Sequence, residues 1–271
     1  MMFDELNLSY DKWHYKLKTN DKDILDKIKL MFRHFFIESY SFNDDRVITI
    51  EKFNNEFLIT TNDESQSSVA SYSDVLAKIT EEFFYPTLFS NQDYLYLHGG
   101  AVEKDNVSIC YLAPSNVGKT TLTVDFIKNG YTYLTDDIIS INLSDYTTKG
   151  FPKPLFLRLD SIHKPNCDIY IKNGEFERNV YIPKDCCSHS INVQYIFVLN
   201  RDKINKNTCN IKKIENNDKF MSLLNNIYYT PDKMHMIKSL AGLIRNVKLY
   251  EVFYNTSDQA ISCMKSVFES H

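Results

Sequence analysis

No stretch of the chain approaches the roughly 18–20 consecutive apolar residues that a membrane-spanning helix needs, so no span is predicted. Excess positive charge is also missing. The 31 Lys and Arg against 35 Asp and Glu leave a formal net charge of −4, and that balance gives no reason to expect nucleic acid as a partner. The six cysteines, Cys110, Cys167, Cys186, Cys187, Cys209 and Cys263, include no CxxC pair. Unpaired thiols in a reducing cytoplasm are therefore expected, although adjacent Cys186 and Cys187 also suit metal or redox chemistry. The opening residues, MMFDELNLSYDKWHYK, are mixed and acidic and do not read as a signal peptide. Glycine is scarce, seven in 271 residues, which is a habit of composition and excludes no chemistry. Internal repeats and low-complexity linkers are absent from the sequence.

What is present is an ordinary soluble composition, 43 % apolar and 24 % charged. At roughly 100–200 residues per domain, this length gives one large or two small domains. Residues 21–38 read as an amphipathic helix, with Ile24, Ile28, Met31, Phe32 and Phe35 on one stripe. Residues 46–61 read as a hairpin around Asn54 and Asn55. Residues 71–88 read as a second helix, with Ser73 as a candidate N-cap. Residues 1–70 are accordingly expected to form a small α+β lead-in, and residues 71–271 an α/β domain. In that domain YLYLHGGAVE and VSICYLA read as consecutive strands, and residues 119–128 as a helix closed by Gly130. YTYLT and DIISINL read as strands flanking Asp136, PLFLRL and VQYIFVL as two more. Residues 216–270 read as helix, helix, strand, helix.

Between VSICYL and the helix runs A-P-S-N-V-G-K-T, residues Ala113, Pro114, Ser115, Asn116, Val117, Gly118, Lys119 and Thr120, followed by Thr121. It matches G-x-x-x-x-G-K-[ST] with Ala at the first position. The spacing has a mechanical reason. A chain leaving a strand curls so that successive backbone N–H groups point inward at an anion. Gly118 admits close approach of the backbone, Lys119 reaches the β- and γ-phosphates, and the Thr120 hydroxyl ligates Mg²⁺. The following helix adds its positive N-terminal end. Pro114 and the non-glycine Ser115 and Asn116 make this loop stiffer than a glycine-rich one.

Asp136 and Asp137 interrupt the apolar run YTYLTDDIISI, where two carboxylates are costly unless partnered. A polar turn is the bland reading. The functional one sets one carboxylate near Mg²⁺ and the other as the base that takes a proton from an attacking hydroxyl. His98 ends a strand beside Gly99 and Gly100, which allow close approach.

The succession LHGGAV, LAPSNVGKTTL and GYTYLTDDI resembles the catalytic domain of the HPr kinase/phosphorylase family and its relatives. The separations, 21 residues from His98 to Lys119 and 18 from Lys119 to Asp137, are similar to the family's. The resemblance covers residues 94–160. It implies a P-loop-containing kinase core of the HPr-kinase/PEP-carboxykinase-like type, with ATP and Mg²⁺ as cofactors. It makes His98, Lys119, Asp136 and Asp137 catalytic, Asp137 being the base, and gives the metal to Thr120 and Asp136. The Arg-Gly-Leu-Gly run and metal-binding glutamate of the bifunctional enzymes do not occur. GFPKPLFLRLDSI stands in their place and resembles HPr-kinase-like proteins encoded beside peptide-modification genes, including lasso-peptide kinases. Lys153 and Arg158 in it are candidates for phosphate or acceptor contacts, with a solvated strand edge as the alternative.

The expected activity is ATP-dependent phosphorylation of a hydroxyl, of Ser/Thr type, on a protein or modified peptide. Alternatives are a small-molecule kinase of a biosynthetic pathway and a nucleotide-binding regulatory or maturation module without transfer. Residues 160–190 suit either a lid over a small acceptor or a groove for a peptide. Expected partners are the nucleotide and the acceptor, without nucleic acid or membrane, and a homo-oligomer is compatible with this reading.

Overall fold

A computed structural model describes residues 2–38, 46–62, 65–89, 93–114, 117–159, 169–173, 176–187, 189–201, 209–229 and 233–269. In chain order its elements begin β1 (Asp4–Tyr10), β2 (Trp13–Thr19), α1 (Lys22–Met31), β3 (Arg46–Phe53), β4 (Glu56–Thr61), β5 (Gln66–Val69) and α2 (Tyr72–Phe89). There follow β6 (Tyr94–Lys104), β7 (Val107–Leu112), α3 (Lys119–Lys128), β8 (Thr132–Thr135), β9 (Ile138–Asn142) and β10 (Thr147–Lys149). Next come β11 (Leu155–Leu157), β12 (Ile169–Asn173), β13 (Phe176–Tyr181) and β14 (Ser190–Arg201). The chain closes with β15 (Asn210–Lys213), α4 (Asn216–Leu224), β16 (Ile227–Tyr229), α5 (Lys233–Asn246), β17 (Lys248–Tyr254) and α6 (Ser257–Phe268). This mixed α/β chain divides into two compact units.

The first unit comprises Met1–Ser90, Lys153–Asp160 and Asn166–Ile182. Its larger sheet runs in the order β1-β2-β3-β4-β5, and β11-β13-β12 form a separate antiparallel sheet. Alternation builds one buried face on the larger sheet: Tyr15 and Leu17, Ile48 and Ile50, Phe57 and Ile59. The helix expected over 21–38 stops at Met31. Beyond it the chain makes a 3-10 turn over Arg33–Phe35, and Phe36 then bridges to Leu8 of β1. Strand pairing thus overrides helix periodicity, and Phe32 and Phe35 meet Phe83 of α2 at centroid distances of 5.4 and 5.1 Å. Because α2 buries Val75, Leu76, Ile79 and Phe83, it falls in this unit, and the boundary expected at residue 70 lies within the unit. Ser71 rather than Ser73 caps α2, accepting from the Asp74 amide at 3.1 Å, while the Ser73 hydroxyl accepts from the Lys172 amide.

The second unit holds Asn91–Pro152, Ser161–Pro165 and Pro183–His271. Its sheet runs β10-β9-β6-β7-β14-β17-β15, with β8 and β16 also on β6. Strands β7, β14 and β17 are parallel; β6 is antiparallel to β7. Both faces of β7 are covered, which is why VSICYL reads as a continuous apolar run. Ile109, Tyr111 and Ala113 share a buried cluster with Leu122 and Phe126 of α3 and Ile261 and Met264 of α6. Cys110 and Leu112 share another with Leu223 of α4 and Leu240 and Leu243 of α5. Gly130 takes φ +81° after α3, the left-handed conformation expected of a C′ residue.

Cys209 and Cys263 form a disulfide joining the chain just before β15 to α6. This corrects the expectation of unpaired thiols at these two positions. The sequence places them 54 residues apart, but both pack against the α6-covered side of the sheet. Such a bond is uncommon in a reducing compartment. Cys110 and Cys187 are free thiols, and burial pushes the Cys110 thiol up to about 12. Cys167 lies outside the described residues. Among the described residues, no helix is long and apolar enough to cross a membrane.

One pair of glycines is fixed by packing. A Cβ on Gly99 would stand 2.4 Å from the Tyr111 carbonyl oxygen, and one on Gly100 would stand 2.5 Å from the Tyr111 ring. Gly100→Ala is therefore expected to cost about 1–3 kcal/mol of stability by overpacking. The measurement is the denaturant midpoint at unchanged m-value; an unmoved midpoint would mean that the Tyr111 ring has other room.

Candidate active site

The site grows from the carboxyl end of the parallel strands, where open α/β sheets place their ligands. Strand β7 ends at Leu112, the loop leaves it, and α3 begins at Lys119. Gly118 supplies the turn with φ +106° and ψ +24°, a conformation that disfavours any residue with a Cβ. The loop is tied down from a strand end two places along the sheet: Tyr254, last in β17, donates to the Val117 carbonyl at 3.0 Å. Ser115 and Asn116 lie outside the described residues. Thr121 is half-buried in the first turn of α3.

The amino end of α3 differs from those of α1 and α6. Helix α1 is capped by Asp21 and α6 by a Thr256/Gln259 capping box. Gly118 gives α3 no side-chain cap, and its first turn has no acidic residue. The positive end of the helix, with Lys119 on it, is thus left open to an anion.

Lys119 is 6 % exposed. Its ammonium folds back over the loop and donates to the carbonyls of Ala113 (2.8 Å) and Pro114 (3.1 Å). Desolvation pulls its pKa below the usual lysine value, while the charges of Asp137 and then Asp136 work the other way. An ammonium has three donors, so these two contacts leave one for a further acceptor.

Strand β8 is antiparallel to β6 and so runs in the same direction as β7, bringing its end level with the loop. The residue after it is Asp136, 1 % exposed. Asp136 Oδ2 accepts the Thr120 hydroxyl at 2.8 Å, and Oδ1 lies 3.2 Å from Thr123 Oγ1. Burial of this carboxylate is therefore matched by donors on α3. Asp137 comes next with φ +70°, a left-handed conformation that Asp and Asn tolerate better than other side chains. Its carbonyl accepts the Gly99 amide at 3.1 Å. The ladder on either side, Ala101 opposite Thr135 and His98 opposite Ile138, sets Asp136 and Asp137 against Gly100 and Gly99. The two motifs HGG and DD, far apart in sequence, thus face each other across one strand pair.

His98 is half-buried. Its amide donates to the Asn226 carbonyl at 2.7 Å, and its ring packs edge-on to Tyr228 at 6.0 Å. Lys153 and Arg158 fall in the first unit, outside the unit that carries the loop. There the Lys153 ammonium lies 5.7 Å from the Phe156 ring centroid, and Arg158 is exposed. Among the described residues, no group of three or more His, Cys, Asp or Glu side chains could hold a metal by themselves.

Three participants were not singled out from sequence: Tyr111, Thr123 and Tyr254. Thr123 carries a signal in retrospect, since it lies three and four residues after Thr120 and Lys119 on the same face of α3. Tyr111 and Tyr254 carry none, because their roles depend on which strands become neighbours.

No family model matches the chain, and neither does any curated protein it was compared with. Among solved structures, the Hpr(Ser) kinase/phosphatase from Coxiella burnetii is similar over 65 % of this chain and 95 % of its own, at 10 % identity and a TM-score of 0.34. A likeness of that size carries no argument about chemistry, which rests on the residues of this chain.

Proposed function

We propose that this protein is an ATP- and Mg²⁺-dependent phosphotransferase acting on a hydroxyl, of Ser/Thr type, in a protein or modified-peptide acceptor. The fold meant by this reading is a P-loop kinase core of HPr-kinase/PEP-carboxykinase-like type in the second unit. The observation that carries it is the meeting of Lys119 and Thr120, at the open end of α3, with Asp136 and Asp137 at the end of β8. The order of motifs that resembles the HPr kinase family points the same way.

Each part of the site has its own task. The loop amides and the α3 terminus hold phosphate. Lys119 swings its ammonium from the loop carbonyls toward the β- and γ-phosphates. The oxygen donors of Thr120 and Asp136 suit Mg²⁺, which takes one or two carboxylates and completes its shell with phosphate and water. A cation held by these residues would neutralise charge on the transferred group. Asp137 accepts the acceptor's hydroxyl proton, and His98, close to it along the strand ladder, orients that carboxylate or the phosphate. Catalysis is then mostly positioning and electrostatic stabilisation. A binding module would need the lysine and the loop but no second carboxylate, which favours transfer over binding alone.

The test is direct. Purified full-length chain should bind ATP with a dependence on divalent metal and transfer label from γ-labelled ATP to a Ser- or Thr-containing acceptor. Metal-dependent binding without hydrolysis or transfer, over a broad panel of peptide and small-molecule hydroxyls, would leave the binding-module reading in its place.

A further inference from the structure

A buried polar chain behind the loop has no role in the motif. Tyr111 is fully buried on β7. A phenol in such a place costs free energy unless partnered, and phenylalanine would fill the same apolar slot. Room for its ring exists because position 100 has no Cβ; one there would stand 2.5 Å from the ring. The Tyr111 hydroxyl lies 2.5 Å from Thr123 Oγ1. Thr123 Oγ1 is 3.0 Å from the Lys119 carbonyl and 3.2 Å from Asp136 Oδ1. Asp136 Oδ2 accepts the Thr120 hydroxyl at 2.8 Å.

The protons in this chain have a direction. Burial first, and then the charge of Asp136, push the Tyr111 phenol well above its usual pKa, so it stays protonated. It donates to Thr123. The Thr123 proton is then shared between the Lys119 carbonyl and Asp136, and the Thr120 proton goes to Asp136. The opposite assignment would turn the Thr123 lone pairs onto a carboxylate in a low-dielectric interior.

We infer that Tyr111 and Thr123 are positioning residues for a divalent cation at Thr120. They fix the Asp136 carboxylate where it accepts the Thr120 hydroxyl proton, which leaves that oxygen's lone pairs for the metal. The inference rests on the phosphotransfer reading of the same site.

The experiment titrates Mg²⁺ against full-length protein and a fluorescent ATP analogue, reading nucleotide binding rather than turnover. Thr123→Val removes a hydrogen bond to a charged group and should raise the Mg²⁺ concentration at half-saturation about tenfold. Tyr111→Phe removes a neutral one and should raise it about threefold. Thr123→Ser, which keeps the hydroxyl, should restore the wild-type value, and binding measured with EDTA should be the same in all four proteins. A purely structural role would lower Tm and leave the Mg²⁺ titration where it was, and that result overturns the inference. So does a Thr123→Ser protein that behaves like Thr123→Val. If Thr123→Val does not fold, Tyr111→Phe and Thr123→Ser still decide the matter. A wild-type protein whose nucleotide binding ignores Mg²⁺ sinks the phosphotransfer reading and this inference together. Metal-dependent wild-type binding with unresponsive variants sinks this inference alone.

Discussion

Lys119→Ala should leave a folded protein whose phosphoryl transfer is slower by roughly two to three powers of ten. The fold should survive because Lys119 belongs to neither apolar cluster of the second unit. Its ammonium is a buried cation whose burial lowers its pKa, so it is held at a cost rather than as a support. What disappears is the donor poised above the loop, now resting on the Ala113 and Pro114 carbonyls. Charge developing on the transferred group would then meet the loop amides and the metal but no ammonium. Lys119→Met retains most of the stem and is the control for packing. Both variants should unfold at similar temperatures, and both should lose transfer at saturating nucleotide. A Lys119→Met protein with wild-type turnover would mean that the loop does not serve a phosphate.

Much of the site was legible because its parts are local. A strand, a loop ending in Gly-Lys-Thr and a helix succeed one another, and the chemistry proposed for each position comes from the spacing. The Asp pair was legible because charge inside an apolar run demands a reason. The facing of Asp136 and Asp137 against Gly100 and Gly99 was not. It comes from the register of β6 with β8 and β9, which no local pattern reports. Tyr111 was hidden for a similar reason: its ring fits because Gly100 leaves space, and its hydroxyl meets Thr123 on a helix.

The first unit shows where helix and strand signals mislead. The stripe through Phe32 and Phe35 fits a continuing helix, yet the chain turns so that Phe36 can bridge to β1. The hairpin of β1 and β2 was missed although its alternation is intact: Leu6, Leu8 and Tyr10, then Trp13, Tyr15 and Leu17, take every second position. Lys153, Arg158 and the strand pair β12–β13 sit in that unit although the sequence surrounds them with segments of the other. Contiguity along the chain was the wrong guide to domain membership there.

Asp137→Asn should bind nucleotide and metal as the wild type does and transfer phosphate more slowly by roughly two to four powers of ten. Asparagine is the variant to use. Asp137 has φ +70°, and Asn accepts that left-handed backbone about as well as Asp, whereas Ala would add strain unrelated to the proton. The Gly99 amide bonds to the carbonyl of residue 137, so the substitution leaves that contact in place. Asp137→Asn therefore changes charge and basicity with little else. Asp136→Asn should behave differently. Its two oxygens face hydroxyls of Thr120 and Thr123, and an amide nitrogen in place of one oxygen turns a donor toward a donor. Its loss should show as weaker metal affinity, and excess Mg²⁺ should recover part of the rate. His98→Ala should fall between the two and alter the shape of the pH–rate profile if the imidazole tunes Asp137. Single-turnover transfer at saturating ATP and Mg²⁺ separates the three, since metal affinity no longer limits there. An Asp137→Asn protein that transfers at the wild-type rate would remove the base from the mechanism. The proton would then have to leave to water or to the phosphate itself, and the second carboxylate would need another explanation.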